Sequence, residues 1–150
     1  MTARDRRVRQ IPGKIDVAVP VARCGCGALT ATVAAWSPMV ALRHCSACQR
    51  RTGAPFGVGG YWPEATVTIA GVRREWSRPT GGGGTLTNSF CPDCGSTVFW
   101  TVTKHPGLLG IAAGAFAGPG FPPPLRSVWE VDRLAWIDIA APHYFDRGAS

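Results

Sequence analysis

Short stretches of alternating apolar and polar residues run along most of the chain. Residues 28–33 (ALTATV) and 65–69 (ATVTI) alternate small or polar side chains with apolar ones. Further segments of this kind are Val40-Ala41-Leu42, Phe56-Gly57-Val58, residues 96–102 (STVFWTV) and residues 134–139 (LAWIDI). β-Branched and aromatic residues dominate them, and Gly or Pro clusters separate them, which is the signature of strands joined by turns. No stretch keeps a helical period for three turns, although a turn of helix fits between Leu108 and Phe116. The expected class is mostly β, with twisted antiparallel sheets packed face to face. Trp136 alternates with apolar neighbours and is expected to pack inside, and Trp62, Trp76, Trp100 and Trp129 are read as core by default. The run Gly81–Gly84 lacks the Lys-Ser/Thr of a phosphate loop and reads as a hairpin connection. Residues 118–124 (GPGFPPP) read as an irregular loop.

Composition narrows the class. A chain of 150 residues with 45% hydrophobic and 17% charged residues is globular and long enough for a real core. Residues 1–14 are read as a disordered basic arm, and 15–150 as one folded domain. The apolar stretches are interrupted too soon to span a bilayer. No apolar run follows the first arginines, so neither a Sec nor a twin-arginine signal is read there, and a cytoplasmic setting with reduced thiols is expected. The formal charge is +7. Four thiolates around one Zn²⁺ would offset about two of those charges. The arginines are scattered: Arg4, Arg6, Arg7 and Arg9 in the arm, and Arg50, Arg51, Arg73 and Arg74 elsewhere. Without a clustered aromatic–basic stripe, the charge argues for a solvated surface or an acidic small molecule rather than nucleic acid.

The candidate chemistry lies in six cysteines, grouped as Cys24-Gly25-Cys26, Cys45-Ser46-Ala47-Cys48 and Cys91-Pro92-Asp93-Cys94. A Cys-x-x-Cys turn aims two thiolates at one ion, and Gly27 and Gly95 relieve the turns that precede them. Zinc takes four such ligands, so two distant pairs make one closed site and the third pair is left over. Iron in a rubredoxin-like site competes for the same ligands. Disulfides are the alternative for an even cysteine count, but bridges within such short pairs close tiny loops and stabilise little. A thioredoxin-like redox motif is a second alternative, but no βαβ pattern surrounds either Cys-x-x-Cys.

The order of these motifs is specific. Cys24-Gly25-Cys26-Gly27 comes first, then residues 44–56 (HCSACQRRTGAPF), then residues 89–96 (SFCPDCGS), then Trp136 near the end. This resembles the glutathione-dependent formaldehyde-activating enzyme (GFA, CENP-V/GFA domain) family, over residues 21–145. The resemblance implies a mostly β fold of twisted sheets built around zinc. It implies a structural zinc at the positions of Cys24, Cys26, Cys91 and Cys94. It also implies a second, catalytic zinc held by a Cys-His-Cys-x-x-Cys motif, of which this chain has Cys45 and Cys48. The family's founding activity joins formaldehyde and glutathione to give S-hydroxymethylglutathione, a carbon–sulfur lyase reaction run in reverse. A closed four-cysteine site agrees with the residue-level reading, since it contributes folding energy and leaves no open position for a substrate.

The second motif departs from the family pattern, because its first cysteine falls on Arg43. In a strand, residues 43 and 45 face one side and His44 the other, so His44 is a poor replacement ligand. His105, His143 or Asp93 are candidates to complete the site from afar. A guanidinium beside Cys45 would lower thiol pKa values and repel a divalent cation, or fork onto a substrate carboxylate. Three states are open: a weak two-cysteine zinc site, an empty site with an activated thiol, and a retired site. The enzymatic expectation is a zinc-dependent carbon–sulfur lyase acting on a small-molecule thiol or thiol–aldehyde adduct, with a zinc at Cys45 and Cys48 binding the substrate thiol as thiolate. Cys45, Cys48 and Arg43 would carry the chemistry, and Arg50 and Arg51 would hold carboxylates. The alternative is a non-catalytic zinc module that binds a protein or nucleic-acid partner. Oligomeric state is not legible.

Overall fold

The computed structural model describes residues 18–148. The basic arm read over residues 1–14, with Arg4, Arg6, Arg7 and Arg9, lies outside them. Eleven strands and two short helices are present among the described residues. The strands are β1 (Val21–Arg23), β2 (Thr30–Thr32), β3 (Val40–Arg43), β4 (Gly57–Pro63), β5 (Thr68–Ala70), β6 (Arg74–Pro79), β7 (Thr85–Phe90), β8 (Thr97–Val102), β9 (Leu108–Ala112), β10 (Arg126–Val128) and β11 (His143–Phe145). Helix α1 covers Ser46–Thr52 and α2 covers Ala113–Phe116. No helix among the described residues is long and apolar enough to cross a membrane.

Two sheets form, as the mostly β expectation required. The small one is antiparallel, in the order β1-β2-β5. The large one has eight strands in the order β11-β10-β3-β4-β9-β8-β7-β6. It is antiparallel except that β10 pairs in parallel with both β3 and β11. Parallel neighbours need a long crossover, and the chain between α2 and β10 provides one between the far side of β9 and β3. The Gly81–Gly84 run is the hairpin turn between β6 and β7, and residues 118–124 are irregular, as expected.

The core lies between the small sheet and the middle of the large one. Ala22, Leu29, Ala31 and Val33 from the small sheet meet Val98, Phe99, Leu109 and Ile111. Val98, Phe99 and Trp100 are buried in succession, so β8 is covered on both faces. One cover is the core, and the other is the floor of a cleft.

Several expectations fail, each for a local reason. Residues 134–139 are not a strand. Ile137 N–H donates to the Leu134 carbonyl at 2.9 Å, and the Arg133 guanidinium donates to the Ile137 carbonyl, so the segment satisfies its polar groups as a turn. Trp136 is 72% exposed there rather than packed inside. Trp76 is also exposed, on β6. The helical turn read from Leu108 to Phe116 is a strand first (β9) and a single helical turn afterwards. In the 65–69 segment, a 3₁₀ turn at Glu64–Thr66 precedes β5, which starts only at Thr68.

Candidate functional site

Two tight turns bring four cysteines together. The Cys24–Cys26 turn follows β1, and the Cys91–Cys94 turn joins β7 to β8. Gly27 and Gly95 have φ of 81° and 76°, a left-handed conformation that glycine adopts without strain. All four Sγ atoms lie within 4.8 Å of one another. Cys24 and Cys26 are 3.6 Å apart, and Cys26 and Cys91 are 3.7 Å apart. A tetrahedron with Zn–S bonds of 2.3 Å places sulfurs about 3.8 Å apart, so this spacing fits a metal ion. The Leu29 N–H donates to Cys24 Sγ at 3.2 Å, an outer-sphere support that favours the thiolate. The thiols compete for charge. The Ala28 N–H favours a Cys26 thiolate, but crowding by Cys24 and Cys91 outweighs it and pushes the Cys26 pKa up to about 12. The Ser96 hydroxyl, 3.4 Å away, and backbone N–H groups hold Cys94 down to about 5. A cation at the centre removes that competition. The four cysteines together can hold a metal ion.

The third pair is built differently. Cys45 follows β3 and caps α1, and Cys48 is buried one turn later. Cys45's carbonyl accepts from the Cys48 and Gln49 N–H groups at 2.9 and 3.1 Å, which fixes the turn. The two Sγ atoms are 2.7 Å apart, well short of the spacing in the four-cysteine cluster. Among the described residues, that cluster is the one group of three or more Cys, His, Asp or Glu ligand atoms close enough to share an ion. Neither His105 nor His143 nor Asp93 therefore joins Cys45 and Cys48. His105 lines a separate hollow beside Glu64 and Thr101, His143 lies on the edge strand β11, and Asp93 stays in the knuckle turn.

His44 points away from the pair, as strand alternation required. It is buried, with Nε2 3.1 Å from Ser127 Oγ and 3.4 Å from Glu130 Oε1. Burial lowers its pKa, with Arg133 adding to the effect and Glu130 opposing it. Ser127, His44 and Glu130 resemble a nucleophile–base–acid chain, but the serine is fully buried and no substrate reaches it.

A cleft of about 600 Å³ opens over the Cys45–Cys48 turn. Arg43, Arg50, Arg51 and Arg78 line it together with Cys48. The Arg43 guanidinium donates to the Tyr61 hydroxyl. Burial works against its charge, but Tyr61 and the two facing thiols outweigh burial and move its pKa up. Arg51 stacks 4.8 Å over the Trp100 ring. Its pKa is lowered by burial, partly offset by the same thiols. Trp100 in turn lies on two glycines: a Cβ on Gly110 would be 2.2 Å from its Nε1, and one on Gly59 2.5 Å from its ring. Cys45's pKa falls to about 6, first through its side-chain hydrogen bond with the Cys48 thiol, and then through the Cys48 N–H, Arg43 and Arg78 working against burial. Cys48 moves the other way, because it keeps the shared proton and is buried.

The structure thus gathers Arg43, Cys45, Cys48, Arg50 and Arg51 at one place, and Cys24, Cys26, Cys91 and Cys94 at another. Sequence reasoning missed Trp76, Arg78 and Trp100 as cleft residues, and Tyr61 as the partner of Arg43. Trp76 and Arg78 are two residues apart on β6 and face the same way, but that signal needs the strand to be recognised first.

A family model described as glutathione-dependent formaldehyde-activating enzyme matches residues 19–132. The crystal structure of a Rhodobacter sphaeroides protein superposes with a TM-score of 0.51 at 19% identity, covering 69% of this chain and 91% of that one. At that identity the likeness concerns the fold. No curated protein matches the chain.

Proposed function

Because the chain belongs to the glutathione-dependent formaldehyde-activating enzyme family, we propose that its cleft binds a carboxylate-bearing thiol and catalyses the addition of that thiol to a small aldehyde, or the reverse cleavage. The observation that carries this reading is the convergence of four arginines on a cleft lined by Cys48, with the Cys45 thiol next to it. Guanidinium groups bind carboxylates through paired hydrogen bonds. A cationic, partly enclosed wall also stabilises a substrate thiolate.

Cys24, Cys26, Cys91 and Cys94 would hold a zinc ion, and a closed four-thiolate site supplies folding energy rather than a reaction centre. Cys45 and Cys48 do not fit a second zinc ion: there are two ligands instead of three, the sulfurs are too close, and a guanidinium stands beside them. The reaction is therefore written through the chain's own groups. Cys45, as thiolate, takes the proton of the bound thiol. The substrate sulfur then attacks the carbonyl carbon, a C–S bond forms, and the C=O π pair moves to oxygen. That oxygen takes the proton back from Cys45, giving a hydroxyalkyl thioether. Arg43 and Arg78 stabilise the anionic charge along the way. Cleavage runs the same steps backwards.

A second reading has one observation in its favour. The loss of the family's third ligand at Arg43 fits a zinc-stapled module with no chemistry of its own, whose surface binds a partner. Magnetisation-exchange NMR on ¹³C-formaldehyde and glutathione separates the two readings. The enzyme accelerates exchange between free and thiol-bound carbon above the buffer rate, and Cys45→Ser removes the acceleration. Exchange at the buffer rate, together with no binding of glutathione, refutes the proposal and leaves the module.

A further inference from the structure

The third cysteine pair is too close for a metal and well placed for a different bond. Its Sγ atoms are 2.7 Å apart, whereas the metal-compatible cluster in the same chain has neighbouring spacings of 3.6 and 3.7 Å. A disulfide requires about 2.05 Å, so the pair is less than about 1 Å from bonding distance. One helical turn separates the residues, a spacing within disulfide reach. Cys45 is half-buried and is the less enclosed residue of the pair, and the buried Cys48 beside it lines the cleft. Arg43, Arg50, Arg51 and Arg78 share the cleft wall with Cys48 and with uncharged side chains such as Trp76, Asn88 and Phe90, so an arriving anion meets four guanidinium groups.

We infer that Cys45 and Cys48 form a metal-free dithiol centre that exchanges with disulfides of carboxylate-bearing thiols. This rests on the reading of the cleft as a site for such thiols. Cys45 thiolate attacks one sulfur of the incoming disulfide. A Cys45–substrate S–S bond forms, the substrate S–S bond breaks, and one thiolate leaves toward the arginines. Cys48 then gives its proton to that departing thiolate. Its sulfur attacks Cys45 Sγ, closing the Cys45–Cys48 disulfide and releasing the second substrate thiolate, which takes a proton from water. The substrate disulfide is reduced by two electrons and the protein dithiol is oxidised by two. An excess of the same thiol runs the sequence backwards and restores the dithiol, so the thiol–disulfide couple is the only co-reactant. The guanidinium of Arg43 supplies a fixed positive charge beside these sulfurs.

The test uses the full chain with its zinc, reduced beforehand, and two disulfide probes. One is glutathione disulfide, which carries carboxylates, and the other is the neutral bis(2-hydroxyethyl) disulfide. Peptide mass spectrometry reads which cysteines react, and elemental analysis reads zinc. The expected result is a Cys45–Cys48 disulfide with zinc unchanged, formed at least about tenfold faster with glutathione disulfide than with the neutral probe. Cys48→Ser should trap one glutathionyl group on Cys45, and Cys45→Ser should trap none on Cys48. Attack on Cys26 or Cys94 first, with loss of zinc, overturns the inference, as does a second zinc ion held by Cys45 and Cys48. Reduced glutathione titrated into the Cys45→Ser/Cys48→Ser double variant separates this inference from the reading beneath it. Binding there, without exchange in the natural protein, overturns the dithiol centre alone. A Cys45–Cys48 disulfide formed equally fast by both probes, without glutathione binding, overturns the cleft reading alone.

Discussion

Replacing Cys91 by serine tests the four-cysteine cluster through the stability of the whole fold. Cys91 is fully buried and belongs to the core with Ala22, Leu29 and Val98. Its partner Cys26 is 65 positions away in sequence. A metal that joins them closes that loop, and the chain-entropy relation for a cross-link over roughly 65 residues gives about 4 kcal/mol. Domains of this kind have a total stability of about 5–15 kcal/mol. The small sheet has strands of only three residues, and the knuckle ties β1 to the β7–β8 turn. Cys91→Ser should therefore lower the melting temperature by roughly 10–20 °C and abolish zinc binding, if the protein remains soluble. A strong chelator should do the same to the natural protein. Circular dichroism melts with parallel zinc analysis measure both. Cys48→Ser is the control, with a change within about 1 kcal/mol and unaltered zinc. A Cys91→Ser protein that melts within a few degrees of the natural one, with its zinc retained, would refute the assignment.

Arg43→Cys should raise zinc from one ion per chain to two, as measured on protein purified without added metal. An unchanged count would mean that more than a ligand is missing at the Cys45–Cys48 turn. Alkylation of Cys45 by iodoacetamide should have its pH midpoint near about 6. The thiolate is lost as pH falls through that value, so at pH 7 about nine-tenths is reactive, against a few per cent for an ordinary thiol. Cys48→Ala should move the midpoint up, because the Cys48 thiol is the largest contributor to the shift. The buried His44 refuses a proton that the unfolded chain accepts near about pH 6.5. The unfolded state then binds more protons, so stability is full above that pH and declines as pH falls below it. Urea unfolding at pH 7 and pH 5 checks the sign, and His44→Gln should flatten this dependence.

The parts legible in the sequence were those with local causes. Cys-x-x-Cys turns followed by glycine carry their geometry with them, which made the cluster readable. The Val40–Leu42 segment is apolar and buried, and the 96–102 segment is mostly β-branched or aromatic with Val98, Phe99 and Trp100 buried, so composition alone marked them as strands. Strands β6 and β7 were not legible, because they are polar and held by their ladder and by contacts such as Ser77–Thr87 at 2.8 Å. Helix α1 is a seven-residue element, too short for a periodic signal. Residues 134–139 alternate convincingly, yet only Ile137 is buried there. The cleft itself depends on long-range order in the sheet. Trp100 on β8 lies across Gly110 on β9 and Gly59 on β4, and no spacing along the chain reveals that three-strand arrangement.

Arg43 ends a strand whose ladder is made entirely by the backbone, paired with Gly57 on one side and Val128 on the other. Those pairings are indifferent to the side chain that projects from the position. A cysteine codon and an arginine codon can differ by a single base, so a turn with two thiols and one with three are one mutational step apart on the same scaffold. Neither direction of that step has to pass through a chain that cannot fold. The four-cysteine cluster that can hold a metal ion draws its ligands from Cys24, Cys26, Cys91 and Cys94, so a change at Arg43 leaves that cluster's ligands untouched.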